Sequence, residues 1–400
     1  MATAREHSPA TGAPYRDGKR YLWLLSSLYP LYPAGFLALA YATGQAGWLW
    51  GLPLLFYGLV PVLDHLMRED HNNPPDADLP RVESDRYYRI LVYLAVPGHF
   101  ITLVAGAWAF SRGDFPAWGM AGLTVSVGIV SGLAINTGHE LGHKKTVLER
   151  WLARIVLAVP GYGHFYVEHN KGHHRHVSTP LDPASARMGE SLYGFALLRE
   201  IPGAARRAWE LERARLARAG RGPWSLDNEV LRTSAMSLAL YGAIIAVFGW
   251  IVLPFLLAQA AIAWFHLSLA NYIEHYGLLR QKTGDGRYER CRPEHSWNTN
   301  HVVSNLILFH LQRHSDHHAN PTRRYQALRH FEGLPTLPSG YPAMWLAAMV
   351  PPLWRRIMDP RLLRHYDCDL TRVNVAPDKR DALFARYHRP ASVTAEAGSG

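Results

Sequence analysis

Cysteine is nearly absent: the 400 residues hold two, Cys291 and Cys368. Two are too few for a disulfide framework, a zinc ribbon or a four-cysteine iron site, so any metal held by this chain sits on nitrogen or oxygen. Charge is thin as well. Only 18% of residues are Asp, Glu, Lys or Arg, against roughly 25% in soluble domains. No G-x-G-x-x-G is present, which removes the usual dinucleotide fingerprint. The net charge of +10 comes without a recognised nucleic-acid motif, so it suits a basic face set against anionic headgroups rather than a nucleic-acid partner.

Where charge is missing, apolar runs stand. A helix crosses a bilayer in about 20 mostly apolar residues, and such runs occur at 22–43, 47–67, 90–110, 115–137, 233–249 and 251–273. They form three closely linked pairs, which predicts an all-α integral membrane protein of six spans. Of the 42 Lys and Arg, 41 fall on one side of that map and only Arg112 lies at a hairpin tip. The excess of positive charge makes that side cytoplasmic, with both termini in the cytosol. The division is then an N-terminal segment 1–21, a membrane part 22–275 carrying a helical insertion at 138–232, a C-terminal part 276–390, and a flexible tail or linker at 391–400. Residues 199–221, rich in Arg around Glu210 and Glu212, are expected to form a solvated or headgroup-facing helix. The stretch 342–354, too short to span and broken by Pro351 and Pro352, is expected to lie in the interface.

The chain is rich in histidine, with 22. At the end of the fourth run stands His139-Glu140-Leu141-Gly142-His143-Lys144, two imidazoles four residues apart on one helical face. A second cluster, Glu168-His169-Asn170-Lys171-Gly172-His173-His174, follows, and a third is Leu311-Gln312-Arg313-His314-Ser315-Asp316-His317-His318-Ala319. His275, in Asn271-Tyr272-Ile273-Glu274-His275-Tyr276-Gly277, ends the sixth run. All map to one side of the membrane. Nine imidazoles exceed what one ion takes, so the spacing implies a dinuclear site, and imidazole suits iron, zinc and copper alike. A helical cap carrying a histidine-rich dimetal site completes the expected fold. Glu140, Glu168, Glu274, Asp182 and Asp316 suit hydrogen bonds to the outer nitrogens of ligating rings, and His310, four before His314, is expected to support them. His65, His99, His164, His266, His330, His365 and His388 are expected to be packed or boundary histidines; His176 and His301 stay open.

These clusters, with Asn72-Asn73-Pro74-Pro75, Asn136-Thr137-Gly138, Thr179-Pro180-Leu181-Asp182-Pro183 and Pro321-Thr322-Arg323, closely resemble the bacterial membrane alkane 1-monooxygenases over most of residues 20–360. The three-box pattern is shared with membrane fatty-acid desaturases and hydroxylases. The resemblance implies a non-haem diiron enzyme that uses O2 and two electrons to hydroxylate the terminal methyl of a medium-chain alkane. Carried over position by position, the iron ligands and catalytic centre are His139, His143, His169, His173, His174, His275, His314, His317 and His318. Phe56 matches a bulky aromatic that limits chain length in the family. The resemblance also implies rubredoxin and rubredoxin reductase as electron partners, and the Gly398-Ser399-Gly400 end admits a rubredoxin fused beyond it. The basic stretches 313–329 and 355–364 are expected to steer it. The location implied is the bacterial inner membrane with the active face cytoplasmic. Within the same superfamily a fatty-acid or aromatic-methyl hydroxylase or a desaturase is the alternative. A zinc protease leaves most of the histidines unexplained, and a metal transporter needs ligands near mid-bilayer.

Overall fold

Six helices are long and apolar enough to cross a membrane in a computed structural model that describes residues 14–388: Arg20–Thr43, Ala46–Met67, Arg86–Arg112, Ala117–Gly142, Glu229–Phe248 and Trp250–His275. They match the six apolar runs within a few residues at each end. Among the described residues there is no strand, only isolated β-bridges. Local chemistry sets several ends. Asp85 caps the third span by accepting from the Tyr87 N–H at 2.9 Å, and Asn228 caps the fifth through the Val230 N–H at 2.9 Å; both satisfy amides that a helix start leaves open. Pro30 and Pro33 break the first span into α and 3-10 pieces, as a missing N–H and a fixed φ require.

The fourth span is the central post, with 83% of its apolar window buried against 17% for the fifth. Its Gly128 and Gly132 lie where a Cβ would stand 2.6 Å from Ile262 and 2.8 Å from His266. Small residues thus let the fourth and sixth spans approach backbone to backbone, the usual way helices pack where lipid removes the hydrophobic drive. Both spans end at histidines, so their close packing brings His139 and His275 to the same end of the molecule.

Two expectations change. The stretch 342–354 forms the helix Tyr341–Ala348 and the start of Pro351–His365. The first of these is built into the protein: Tyr341, Met344, Trp345 and Ala348 are buried, and the Trp345 ring lies 5.5 Å from that of Phe56. The apolar faces of the second and sixth spans offer it more contact than an interface would. In the insertion, the helix Ile201–Arg218 exposes Arg206 and Glu210, but Glu212 is fully buried, where it takes Lys171, Arg215 and the Glu229 N–H. It ties the insertion to the start of the fifth span. The tail at 391–400 lies outside the described residues.

Candidate metal centre

The nine histidines come together in two buried groups. His139, His143, His169, His174 and His317 form one, and His173, His275, His314 and His318 the other; within each group the ring nitrogens lie within 4.8 Å of one another. Local helix geometry explains the sorting. His314, His317 and His318 lie on the helix His314–Ala319, where positions i+3 and i+4 fall on either side of position i. His317 leans to the first group, while His314 and His318 serve the second. Residues His169–His173 form a wide π turn, a feature frequent at functional sites. In that wider turn His173 and His174 straddle the direction of His169, so the adjacent rings enter different groups. Gly172 permits the turn, because a Cβ there would stand 2.7 Å from Glu168 and 3.0 Å from Arg207. Each His-His pair therefore bridges the two groups.

The nitrogen spacing fits cations. Nε2 atoms face each other at 2.9 Å between His139 and His317, 3.1 Å between His143 and His169, 3.1 Å between His169 and His174, and 3.2 Å between His174 and His317. A ring nitrogen has one in-plane direction for a proton or a lone pair, so five of them converging on one point call for a charge at that point. For a metal–nitrogen bond of about 2.1 Å, ligands at right angles stand about 3.0 Å apart and tetrahedral ones about 3.4 Å. Both groups fall in that range, and the five nitrogens of the first exceed the four of a tetrahedral zinc site. The second group shows 2.9 Å between His314 and His318 and 3.3 Å between His275 and His314.

Electrostatics keep the rings ready as ligands. Burial, reinforced by neighbouring imidazoles, holds His143, His169, His174, His314, His317 and His318 well below the ordinary histidine pKa, which leaves their lone pairs free. His173 differs. Burial works downward, but Asp182, 3.0 Å from its Nδ1, outweighs it and lifts the ring. Its buried Nε2 has no hydrogen-bond partner among the described residues and faces its group. An imidazole that donates Nδ1–H to a carboxylate and presents Nε2 inward has the tautomer and orientation of a metal ligand. Asp182 is held at about 2: burial pushes it upward, and His173 and Ser185 more than offset that.

The other supporting residues sort differently from expectation. Glu140 pairs with Lys144 at 3.0 Å and takes the Tyr325 N–H, so it is neither an imidazole partner nor a poised general base. Asp316 is occupied by Arg323, Asn320 and the Arg329 N–H. Position inside a histidine cluster placed both on the helix sides that face cations instead. His310 donates to the Tyr325 carbonyl and meets Lys19, away from both groups. Glu168 lies beside His173 with a buried oxygen that no described residue bonds, and burial first, then Asp182, raises it to about 8. Glu274 also approaches the second group, on the side of its inner nitrogens: one oxygen accepts from the Tyr341 hydroxyl at 2.9 Å and the other lies 3.3 Å from His314 Nε2. His301 bonds Thr299 at the head of the helix Val302–Ile307. Of the histidines expected to be packed, His266 is buried, donates to the Ile262 carbonyl and accepts from Tyr57.

An apolar cavity leads to this centre, with an empty volume of about 520 Å³, its mouth included. It runs along the fourth and sixth spans past Leu133, His266 and Trp345, and ends at His139, His169, Glu274 and His314. Phe56 is buried behind Trp345 and does not itself line it. The wall helix Tyr341–Ala348 could have been suspected from Trp345 within an apolar run, but its partner face could not be read from pattern alone.

Residues 116–348 match the fatty acid desaturase family. The chain is 53% identical over 387 residues to alkane 1-monooxygenase 1 of Alcanivorax borkumensis, covering 97% of this chain and 96% of that protein. It is likewise 53% identical to the alkane 1-monooxygenase of Ectopseudomonas oleovorans, over 96% and 95% of the two. The xylene/toluene monooxygenase hydroxylase component of Pseudomonas putida is 28% identical over 62% of this chain and 66% of its own.

Proposed function

The chain belongs to the alkane 1-monooxygenase family, and we propose that it converts medium-chain n-alkanes to 1-alkanols at a pair of irons held by its nine clustered histidines. The observation that carries this reading is the convergence of those imidazoles, in groups of five and four, beside an apolar cavity between spans whose lining includes His139, His169 and His314. The reaction balances as alkane plus O2, two electrons and two protons giving alcohol and water. When bound, the irons supply O2 activation and the oxidising power to break a C–H bond, which no side chain here has.

The protein's own residues do the rest. His139, His143, His169, His174 and His317 would hold one iron, and His173, His275, His314 and His318 the other; Asp182 fixes the ring of His173. An alkane offers no polar handle, so it is held by shape and desolvation in the cavity lined by Leu133, Leu267 and Trp345. Approach along that bore presents the methyl end first. Asn136, Asn271 and Glu274 at the inner end offer hydrogen bonds to a hydroxyl product but nothing to the substrate. The bilayer concentrates the alkane. Phe56 limits chain length by backing Trp345.

In this reading 22–275 is the membrane part, 276–390 completes the metal site, and the histidine face is cytoplasmic at a bacterial inner membrane, supported by the side on which 41 of 42 Lys and Arg fall. Electrons come from rubredoxin and its NAD(P)H-dependent reductase. The test is metal content of the detergent-purified protein, with octane and dodecane turnover under air with rubredoxin, reductase and NADH. Two irons per chain and a 1-alkanol product are expected. Zinc, a single metal, or an unsaturated or in-chain product overturns the reading.

A further inference from the structure

Two consecutive residues just before the third histidine cluster, Phe309 and His310, adopt left-handed φ values of 51° and 53°. Residues other than glycine rarely adopt this region, and they stay there only when their surroundings hold them. The surroundings here are specific. The His310 Nδ1–H donates to the Tyr325 carbonyl at 2.9 Å, and Lys19, ion-paired with Asp70, points its ammonium at Nε2 from 3.4 Å. The edge of Trp23 meets the His310 ring at 4.7 Å, and Phe309 packs on Tyr325 at 5.1 Å. The left-handed pair reverses the chain so that both flanking leucines, Leu308 and Leu311, line the cavity. The Leu308 carbonyl is pinned by Asn136, itself on the cavity wall, at 2.8 Å. Three residues after Leu311 comes His314. One strained turn thus sets both a wall of the cavity and the start of a ligand helix.

We infer that His310 is a positioning residue for regiochemistry: it clamps the left-handed turn that holds Leu308 and Leu311 against the substrate and so fixes which carbon reaches the metal centre. This rests on the alkane hydroxylase reading. Methylene C–H bonds are weaker than methyl ones, so terminal attack has to be enforced by fit. A loosened wall lets the chain advance or buckle by one carbon, and the second carbon then competes.

The test compares His310→Gly with His310→Asn. Glycine accepts the left-handed backbone at no steric cost but removes the clamp; asparagine tolerates the same conformation and keeps a side-chain donor near the position of Nδ1. With octane, His310→Gly should raise the ratio of 2-octanol to 1-octanol by on the order of tenfold, the effect of about 1.4 kcal/mol in relative barrier, at unchanged metal content. His310→Asn should restore the wild-type ratio. An unchanged ratio in metal-replete His310→Gly overturns the inference. If that variant does not accumulate, Leu308→Ala, which leaves the clamp intact, decides: it must raise the same ratio, and a wild-type ratio overturns the inference. Failure of the wild-type protein to make any octanol overturns the hydroxylase reading instead, so the two failures are distinguishable.

Discussion

Asp182 is the residue on which one half of the proposed metal centre turns. Among the described residues it is the only carboxylate that hydrogen-bonds the outer nitrogen of one of the nine imidazoles, and replacing such a partner commonly costs 10- to 100-fold in metal affinity. Asp182→Asn should leave the five-histidine group filled and weaken the other, so that dialysis against a graded series of chelators removes one iron of the two at concentrations the wild type withstands. Retention of both irons like the wild type would show that His173 needs no such partner. The grouping of eight of the nine histidines was legible because spacing of three, four or five residues is short-range geometry, whereas His275 was legible only by its place at the end of the sixth run. Of the carboxylates expected to support them, Asp182 does meet His173, across a loop, while the turning of Glu140 and Asp316, adjacent in sequence, to Lys144 and Arg323 was not legible. Glu200 was not legible either. It is fully buried, bonded to Ser268 and to Asn271 at 3.1 Å, and burial, opposed by those bonds and reinforced by Asp182, raises it from 4.5 to about 7. Its folded form prefers the proton, so below about 4.5 both folded and unfolded chains are protonated and nothing is lost. As pH rises toward 7 the wild type loses stability, by about 1.4 kcal/mol for each pH unit crossed between the two values, and above 7 the loss is constant. Glu200→Gln mimics the protonated form. Its melting temperature in detergent should gain on the wild type between pH 5 and 7 and then run parallel; curves parallel throughout refute the assignment.

At the scale of elements, apolar runs located all six spans because desolvation of the backbone demands helices in lipid. What they could not convey was irregularity inside an element. The π turn at His169–His173 depends on Gly172 fitting beside Glu168 and Arg207, a contact between parts 35 residues apart. The sixth span ends on a comparable constraint. Gly277 has a φ of +73°, donates to the Ala186 carbonyl at 2.9 Å and accepts from the Asn374 N–H at 2.9 Å, and a Cβ there would collide with Leu362. It anchors the turn that directly follows His275 and packs the helix Pro351–His365 against the end of the sixth span. Gly277→Ala should cost about 2–3 kcal/mol from conformation and overpacking together and reduce iron retention with it. Gly35→Ala, in a helix with open space around it, should be neutral or stabilise by up to about 1 kcal/mol. Thermal melts of the two variants in one detergent check the difference, and equal melting temperatures would mean that the Gly277 turn relaxes freely.

At the scale of the whole molecule, the one-sided distribution of Lys and Arg is an orientation signal, but it overstates how much free positive charge that side carries. Of the stretch 313–329, Arg313 is buried on the carbonyls of Asp70, Asn72 and Leu328, Arg323 is paired with Asp316, Arg324 with Glu149 and Arg329 with Asp76. These arginines hold loops together. Along the helix Pro351–His365, by contrast, Arg355, Arg356 and Arg364 are exposed and belong to no ion pair among the described residues. If an acidic rubredoxin delivers the electrons, this helix is where unneutralised charge can steer it. Steering acts over a screening length that shrinks about threefold when ionic strength rises tenfold. The wild type should therefore show kcat/KM for reduced rubredoxin falling steeply with salt. The double reversal Arg356→Glu with Arg364→Glu should lower kcat/KM by about tenfold at low salt, flatten the slope and converge with the wild type at high salt, since rim charges act on encounter rather than on the bound state. Arg206→Glu, on the exposed face of the helix Ile201–Arg218, makes a charge reversal away from that helix and should leave the slope nearly as it was. A double reversal that keeps the wild-type slope places docking on another face, and an Arg206→Glu chain that flattens it points to the insertion.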